Sequence, residues 1–103
     1  MQLSYQVNKN LCQVRMYGEL DECTASTVRE DLDQILSKLE PMSEVVFDLK
    51  NLAFMDSTGI GVLIGRYKKM KELDKPIFIT NPSRNAERIF KMAGLYELMP
   101  KIV

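Results

Sequence analysis

Leu3, Tyr5 and Val7 alternate with polar residues at the start of the chain, and Cys12, Val14 and Met16 do so again after Asn8-Lys9-Asn10. A period of two marks a strand with one face toward a core, so the pattern predicts a β-hairpin. From Ala25 to Leu39 the period changes. Val28, Leu32, Ile35, Leu36 and Leu39 recur at i, i+4, i+7, i+8 and i+11, the stripe of an amphipathic helix with Thr24 as its cap and Pro41 as its stop. Val45-Val46-Phe47-Asp48-Leu49 is a short, mostly apolar run suited to a strand buried on both faces. Through Lys50 to Met55 that strand is expected to feed a second helix, opening at Asp56-Ser57-Thr58-Gly59 and running to Leu73. Asp74-Lys75-Pro76 breaks this helix, Ile77-Phe78-Ile79 supplies another strand, and Asn81-Pro82 starts a third helix as cap and first-turn proline. Ala86, Ile89, Phe90 and Ala93 are its inward positions and Gly94 its stop. Tyr96 to Val103 is a candidate edge strand.

Strands alternating with helices imply parallel pairing with right-handed crossovers. The expected fold is a small α/β domain covering residues 1–103, with a mixed, mostly parallel sheet, an N-terminal hairpin and helices packed against it. In such sheets the loops leaving the C-terminal ends of parallel strands gather on one edge, where partners bind. Three segments meet that description: Gly18-Glu19-Leu20-Asp21, Asp56-Ser57-Thr58-Gly59 and Asn81-Pro82-Ser83.

On the second helix, Ile60, Leu63, Tyr67 and Met70 share one face and are expected to meet the core, while Ser57, Gly61, Gly65, Lys68 and Glu72 lie opposite. Each glycine inside a helix costs about 1 kcal/mol against alanine, so something must be gained by keeping that strip bare. Either another helix packs closely there, or a partner approaches between Val62 and Ile64. Ser57 stands at the helix start, where unpaired N–H groups and the positive end of the dipole favour added negative charge. A phosphate would be tolerated there. The residues equally fit a plain cap made by Asp56 or Ser57.

Charge and composition narrow the functions. Fourteen Lys and Arg residues balance fourteen Asp and Glu, so the chain lacks the basic excess that draws a protein to nucleic acid or an anionic membrane. Histidine is absent, which removes Ser-His and Cys-His nucleophile activation and the commonest transition-metal ligand, so no enzyme activity is expected. Cys12 and Cys23 are too few for a disulfide framework or a zinc site, and Cys12 falls on the core face. Gly59, Gly61 and Gly65 read G-x-G-x-x-x-G, one residue away from the dinucleotide fingerprint, and no phosphate-binding G-x-x-x-x-G-K-[ST] occurs. A nucleotide or other small-molecule site is the weaker alternative, and no cofactor is expected. Glu19, Asp21 and Asp56 are read as solvated loop acids rather than a magnesium site. Met1 to Gln6 has neither a basic region nor an apolar run of signal-peptide length, so a cytoplasmic protein is expected.

Gly18-Glu19-Leu20-Asp21, then Phe54-Met55-Asp56-Ser57-Thr58-Gly59-Ile60-Gly61 with Gly65-Arg66-Tyr67-Lys68, then Arg88-Ile89-Phe90-Lys91-Met92-Ala93-Gly94-Leu95, resemble in order and spacing the motifs of anti-sigma factor antagonists. These carry the STAS domain, a type shared with the cytoplasmic tails of sulfate transporters. Leu63 to Lys68 is most similar to the sporulation antagonists. The resemblance implies a binding protein whose unphosphorylated form docks on an anti-sigma factor that is also a serine kinase, displacing the sigma factor it holds. With Mg-ATP the kinase then phosphorylates the serine that aligns with Ser57, and a serine phosphatase restores the antagonist. The docking edge implied for this chain comprises Glu19, Asp21, Asp56, Thr58, Gly59, Ile60, Gly61, Gly65 and the Asn81-Pro82-Ser83 loop, with Arg66 as an addition. Two departures stand out: Glu22-Cys23 replaces the paired histidines of the sporulation type, and the chain ends at Val103 without the final helix many members carry. A scaffold or sensor subunit of the same fold, never released by phosphorylation, is the competing reading.

Overall fold

The structure is a computed structural model that describes residues 1–102. Its first element is the expected hairpin. β1 (Gln2–Asn8) pairs antiparallel with β2 (Leu11–Leu20) without a break from Gln2 opposite Tyr17 to Asn8 opposite Leu11. Lys9, at φ 58°, takes the left-handed conformation that a two-residue hairpin turn requires. After α1 (Ala25–Ser37), β3 (Glu44–Asp48) pairs parallel with the first half of β2, and β5 (Ile77–Thr80) extends the sheet beyond β3. The registers set Leu3, Tyr5 and Val7 beside Met16, Val14 and Cys12, then Val45 and Phe47, then Ile77 and Ile79, all on one face. On that face Val28, Leu32, Ile35 and Leu36 of α1 and Val62, Leu63 and Met70 of α2 (Ser57–Glu72) complete the core. No helix among the described residues is long and apolar enough to cross a membrane.

The sequence pattern misses one strand. β4 (Leu52–Met55) lies where a plain connection is expected, and it pairs parallel with the far end of β2. β2 therefore serves two partners in turn, β3 along Leu11–Arg15 and β4 along Gly18–Leu20, with a register shift at Gly18/Glu19. Gly18, at φ 108°, supplies a backbone turn there that side chains rarely permit. β4 escapes the pattern because only Leu52 and Met55 are buried, a spacing of three rather than two.

Other boundaries shift for local reasons. The buried stripe of α2 is Gly59, Val62, Leu63, Arg66 and Met70, whereas Ile60 and Tyr67 are half-buried along its margin. α3 (Arg84–Met92) begins after Ser83 rather than Asn81: the Ser83 hydroxyl accepts the Ala86 N–H at 3.2 Å, and Asn81 sits at φ 47° in the preceding loop. Gly94 ends this helix at φ 68°, as expected, while Ala93 is exposed. Thr24 precedes α1 without capping it, since its hydroxyl turns back to the Glu19 carbonyl at 2.9 Å. The tail forms a short 3-10 turn (Leu95–Glu97) and then a single parallel bridge between Lys101 and Ile79. Glu87 fastens it, accepting the Tyr96 hydroxyl at 2.6 Å and pairing with Lys101 at 2.8 Å. The final residue of the expected edge strand lies outside the described residues.

Two contacts seat α2. Arg66 is buried against α1, with its Nε 3.1 Å from the Asp33 carboxylate but off the N–H direction, and its Nη1 makes no hydrogen bond among the described residues. Burial lowers its pKa, and Asp33 opposes that shift. At the other end, Gly59 lies directly on the Leu20 carbonyl: a Cβ there would overlap that oxygen and stand 2.8 Å from the Met55 Cγ.

Asp33→Ala should destabilise the protein by about 1–3 kcal/mol, because it strands a buried cation, and Asp33→Ala/Arg66→Met should recover part of the loss. Chemical denaturation of the three proteins measures both effects. Gly59→Ala should lower the melting temperature by about 10 °C, corresponding to about 2 kcal/mol, since the backbone carbonyl it meets cannot move aside.

Candidate functional site

The start of α2 is built from three chain segments. The Asp56 N–H donates to the Leu20 carbonyl at 3.3 Å, holding the helix entry against the end of β2. The Asp56 carboxylate then accepts the Gly59 N–H at 3.0 Å on Oδ1 and the Glu22 N–H at 3.3 Å on Oδ2. Asp56 is therefore the cap, and it also joins the loop after β2 to the loop after β4. This resolves the choice between Asp56 and Ser57 as cap. Ser57, the first residue of α2, is left exposed, and its side chain makes no hydrogen bond among the described residues. An uncommitted hydroxyl thus sits at the positive end of a helix, open to solvent on a rigid element.

The neighbouring loop is equally ordered. Asp21 accepts the Cys23 and Thr24 N–H groups at 3.0 and 3.1 Å, and Thr24 Oγ1 accepts the Asp21 N–H at 3.0 Å. The Asp21 and Asp56 carboxylates are occupied in shaping backbone, while Glu19 and Glu22 are exposed and give the surface its acidic character. Among the described residues, no group of three Asp, Glu, His or Cys side chains has metal-binding geometry. The glycines divide by role. Gly59 is filled by Leu20 and Met55, which leaves it no room to cradle a phosphate, whereas a Cβ on Gly61 or Gly65 would meet nothing within 4 Å. Close packing of another helix against Gly61 and Gly65 is thereby overturned. The strip is bare toward solvent, bordered by the half-buried Ile60 and Ile64.

Not every expected docking residue joins this surface. Glu19, Asp21, Asp56, Thr58, Ile60, Gly61 and Gly65 lie along the two loops and the first turns of α2, with Gly59 buried beneath them. Arg66 does not belong with them, being buried toward Asp33 on α1. The Asn81-Pro82-Ser83 loop is tied elsewhere: the Ser83 N–H donates to Leu49 at 3.0 Å and its hydroxyl to Leu52 at 2.6 Å. It sits at the beginning of β4 and Ser57 beyond its end, about 10 Å of extended strand apart. One surface residue escapes sequence reasoning. Phe54 pairs with Glu19 across β4 and β2 and keeps 44% of its surface exposed beside the Ser57 loop. Only its placement in a strand, rather than a connection, turns it outward.

A STAS domain family model matches residues 2–103. The anti-sigma F factor antagonist of Paenibacillus polymyxa is 33% identical over 100 residues, covering 97% of this chain and 85% of that protein. The anti-sigma-B factor antagonist of Staphylococcus aureus is 32% identical over 87 residues, covering 84% of this chain and 79% of its own. Among solved structures, the anti-sigma factor antagonist SpoIIAA in its unphosphorylated form is similar with a TM-score of 0.79 at 22% identity, covering 99% of this chain and 89% of that one. The Bacillus cell fate determinant SpoIIAA in its phosphorylated form gives 0.72 at 23% identity, with 99% and 92% covered. At that identity the structural likeness speaks for the fold alone. Matched over nearly its whole length by the domain model and by relatives about a third identical, the chain belongs to the STAS domain family, among the anti-sigma factor antagonists.

Proposed function

We propose that this protein is a phosphorylation-controlled antagonist that binds an anti-sigma factor through the α2 entry and the adjoining acidic loop, and that Ser57 is its phosphoacceptor. The single observation carrying this reading is the division of labour at the helix start. Asp56 does all the capping, so the Ser57 hydroxyl has no structural task and faces solvent. A phosphate there adds roughly −1.5 to −2 charges beside Asp56 and Glu22 without disturbing a buried contact. Its effect falls on the partner. An anti-sigma factor that fits closely over Gly61 and Gly65 meets a bulky, hydrated dianion in place of a hydroxyl, and any acidic group it holds near Ser57 is repelled.

The chemistry belongs to the partners in this proposal. An ATP-dependent serine kinase activity in the anti-sigma factor supplies the phosphate and a serine phosphatase removes it, consistent with the naming of the similar protein SpoIIAA in both forms. The unphosphorylated antagonist releases the sigma factor and so favours transcription, in the cytoplasm where these partners act. Phe54 joins the docking edge as an exposed aromatic anchor.

Incubated with its cognate kinase and ATP, the protein should gain one phosphate by mass spectrometry, and Ser57→Ala should gain none while still binding. Ser57→Asp should weaken binding to the unmodified anti-sigma factor at least tenfold by calorimetry. Unchanged affinity in Ser57→Asp would instead favour the scaffold reading. Gly61→Leu and Gly65→Leu should keep or raise the melting temperature, because the space above them is open and leucine favours helix, yet each should cost at least tenfold in affinity.

A further inference from the structure

The two edges of the sheet are treated differently. Along β5 the chain covers its own edge: Ile79 donates to the Pro100 carbonyl at 2.9 Å and accepts the Ile102 N–H at 2.8 Å. β1, at the opposite edge, has no partner on its outer side among the described residues. Exposed edges are ordinarily blunted by charge, proline, a bulge or brevity. β1 uses none of these. Its seven residues, Gln2-Leu3-Ser4-Tyr5-Gln6-Val7-Asn8, include no charged residue, proline or glycine, and its register with β2 is unbroken.

We propose that this edge pairs with the same edge of a second copy of the chain, joining two sheets about a twofold axis at Tyr5. The backbone phase supports that centre. In a two-residue hairpin the flanking pair, Asn8 and Leu11, exchanges both hydrogen bonds, so the alternation leaves the N–H and C=O groups of Leu3, Tyr5 and Val7 pointing outward. An antiparallel pairing centred on Tyr5 sets Tyr5 against Tyr5, Leu3 against Val7, Ser4 against Gln6 and Gln2 against Asn8. Apolar meets apolar on the helix-covered face and neutral polar meets neutral polar on the other. No like charges oppose one another within the strand. Tyr5 and Val7 supply the driving surface, because the helices leave them 48% and 53% exposed. A twofold axis normal to the sheet points the two Ser57 ends in opposite directions, so both docking edges stay free.

About six hydrogen bonds and three apolar pairs make a small contact, below the roughly 1,000 Å² of a stable interface, so the dimer is a reversible one. Sedimentation equilibrium of the full chain from about 5 µM to 1 mM should show the weight-average mass rising toward twofold. Tyr5→Lys should remain monomeric throughout with an unchanged circular dichroism spectrum, whereas Met92→Lys, which removes a still more exposed apolar residue elsewhere, should dimerise as wild type does. Amide hydrogen exchange on the wild-type chain tests the register without any variant: protection at Leu3, Tyr5 and Val7 should grow with concentration, while Ser4 and Gln6, bonded to β2, stay protected at every concentration. A monomer at 1 mM, a folded Tyr5→Lys that still dimerises, or exchange at Leu3, Tyr5 and Val7 that ignores concentration overturns the proposal.

Discussion

The seating of α2 on the end of β2 is the constraint on which the rest of this molecule depends. Leu20 offers a backbone carbonyl that is met twice, by the Asp56 N–H and by the bare Cα of Gly59. Only glycine permits that approach, and the approach brings Asp56 within reach of both the Gly59 and Glu22 N–H groups. From there the position of Ser57 follows without further contact. It is the next residue along, already on the helix, with its hydroxyl directed to solvent because its predecessor has taken the capping role.

A serine held in this way suits a switch that acts by addition. The helix dipole lowers the cost of placing a phosphate at the first turn, while its bulk and charge would fall on any partner fitted closely over it. In the proposed function, phosphorylation leaves the fold nearly unaffected and acts on the complex. The surrounding surface has the same economy. Gly61 and Gly65 hold open a strip on an otherwise well-packed helix at a cost in helix stability, while Arg66 and Asp33 hold the far side of that helix against α1. The two faces of α2 thus differ, one fixing its position and the other open, as the proposed docking requires.

The sheet supports this arrangement through β2, whose two halves have separate tasks. The first half, bonded to β1 and β3, belongs to the core layer; the second, past the turn at Gly18, carries β4 and the loop that feeds the site. The α3 loop is drawn to the base of β4 by Ser83, so the three connections at this end of the sheet form a pair and an outlier rather than one cluster.

The sequence by itself determined the element types, because periods of two and 3.6 follow from backbone geometry and mark which residues need burial. The hairpin, α1, α2, β3, β5 and the stop at Gly94 were all legible that way, as was the placing of Ser57 at a helix start. What only the tertiary structure decided was each residue's use where two neighbours compete for one role. Nothing in Asp56-Ser57 says which side chain caps; in the fold Asp56 does, and its second oxygen also accepts the Glu22 N–H from 34 residues away in the chain. Glycines look alike in sequence, yet Gly59 fills a contact while Gly61 and Gly65 leave one open. β4 carries too few buried positions to show a period, and Arg66 sits on the buried stripe of α2, where Asp33 on another helix meets it. Local pattern reports what a segment can form. Long-range contact assigns what each residue in it does.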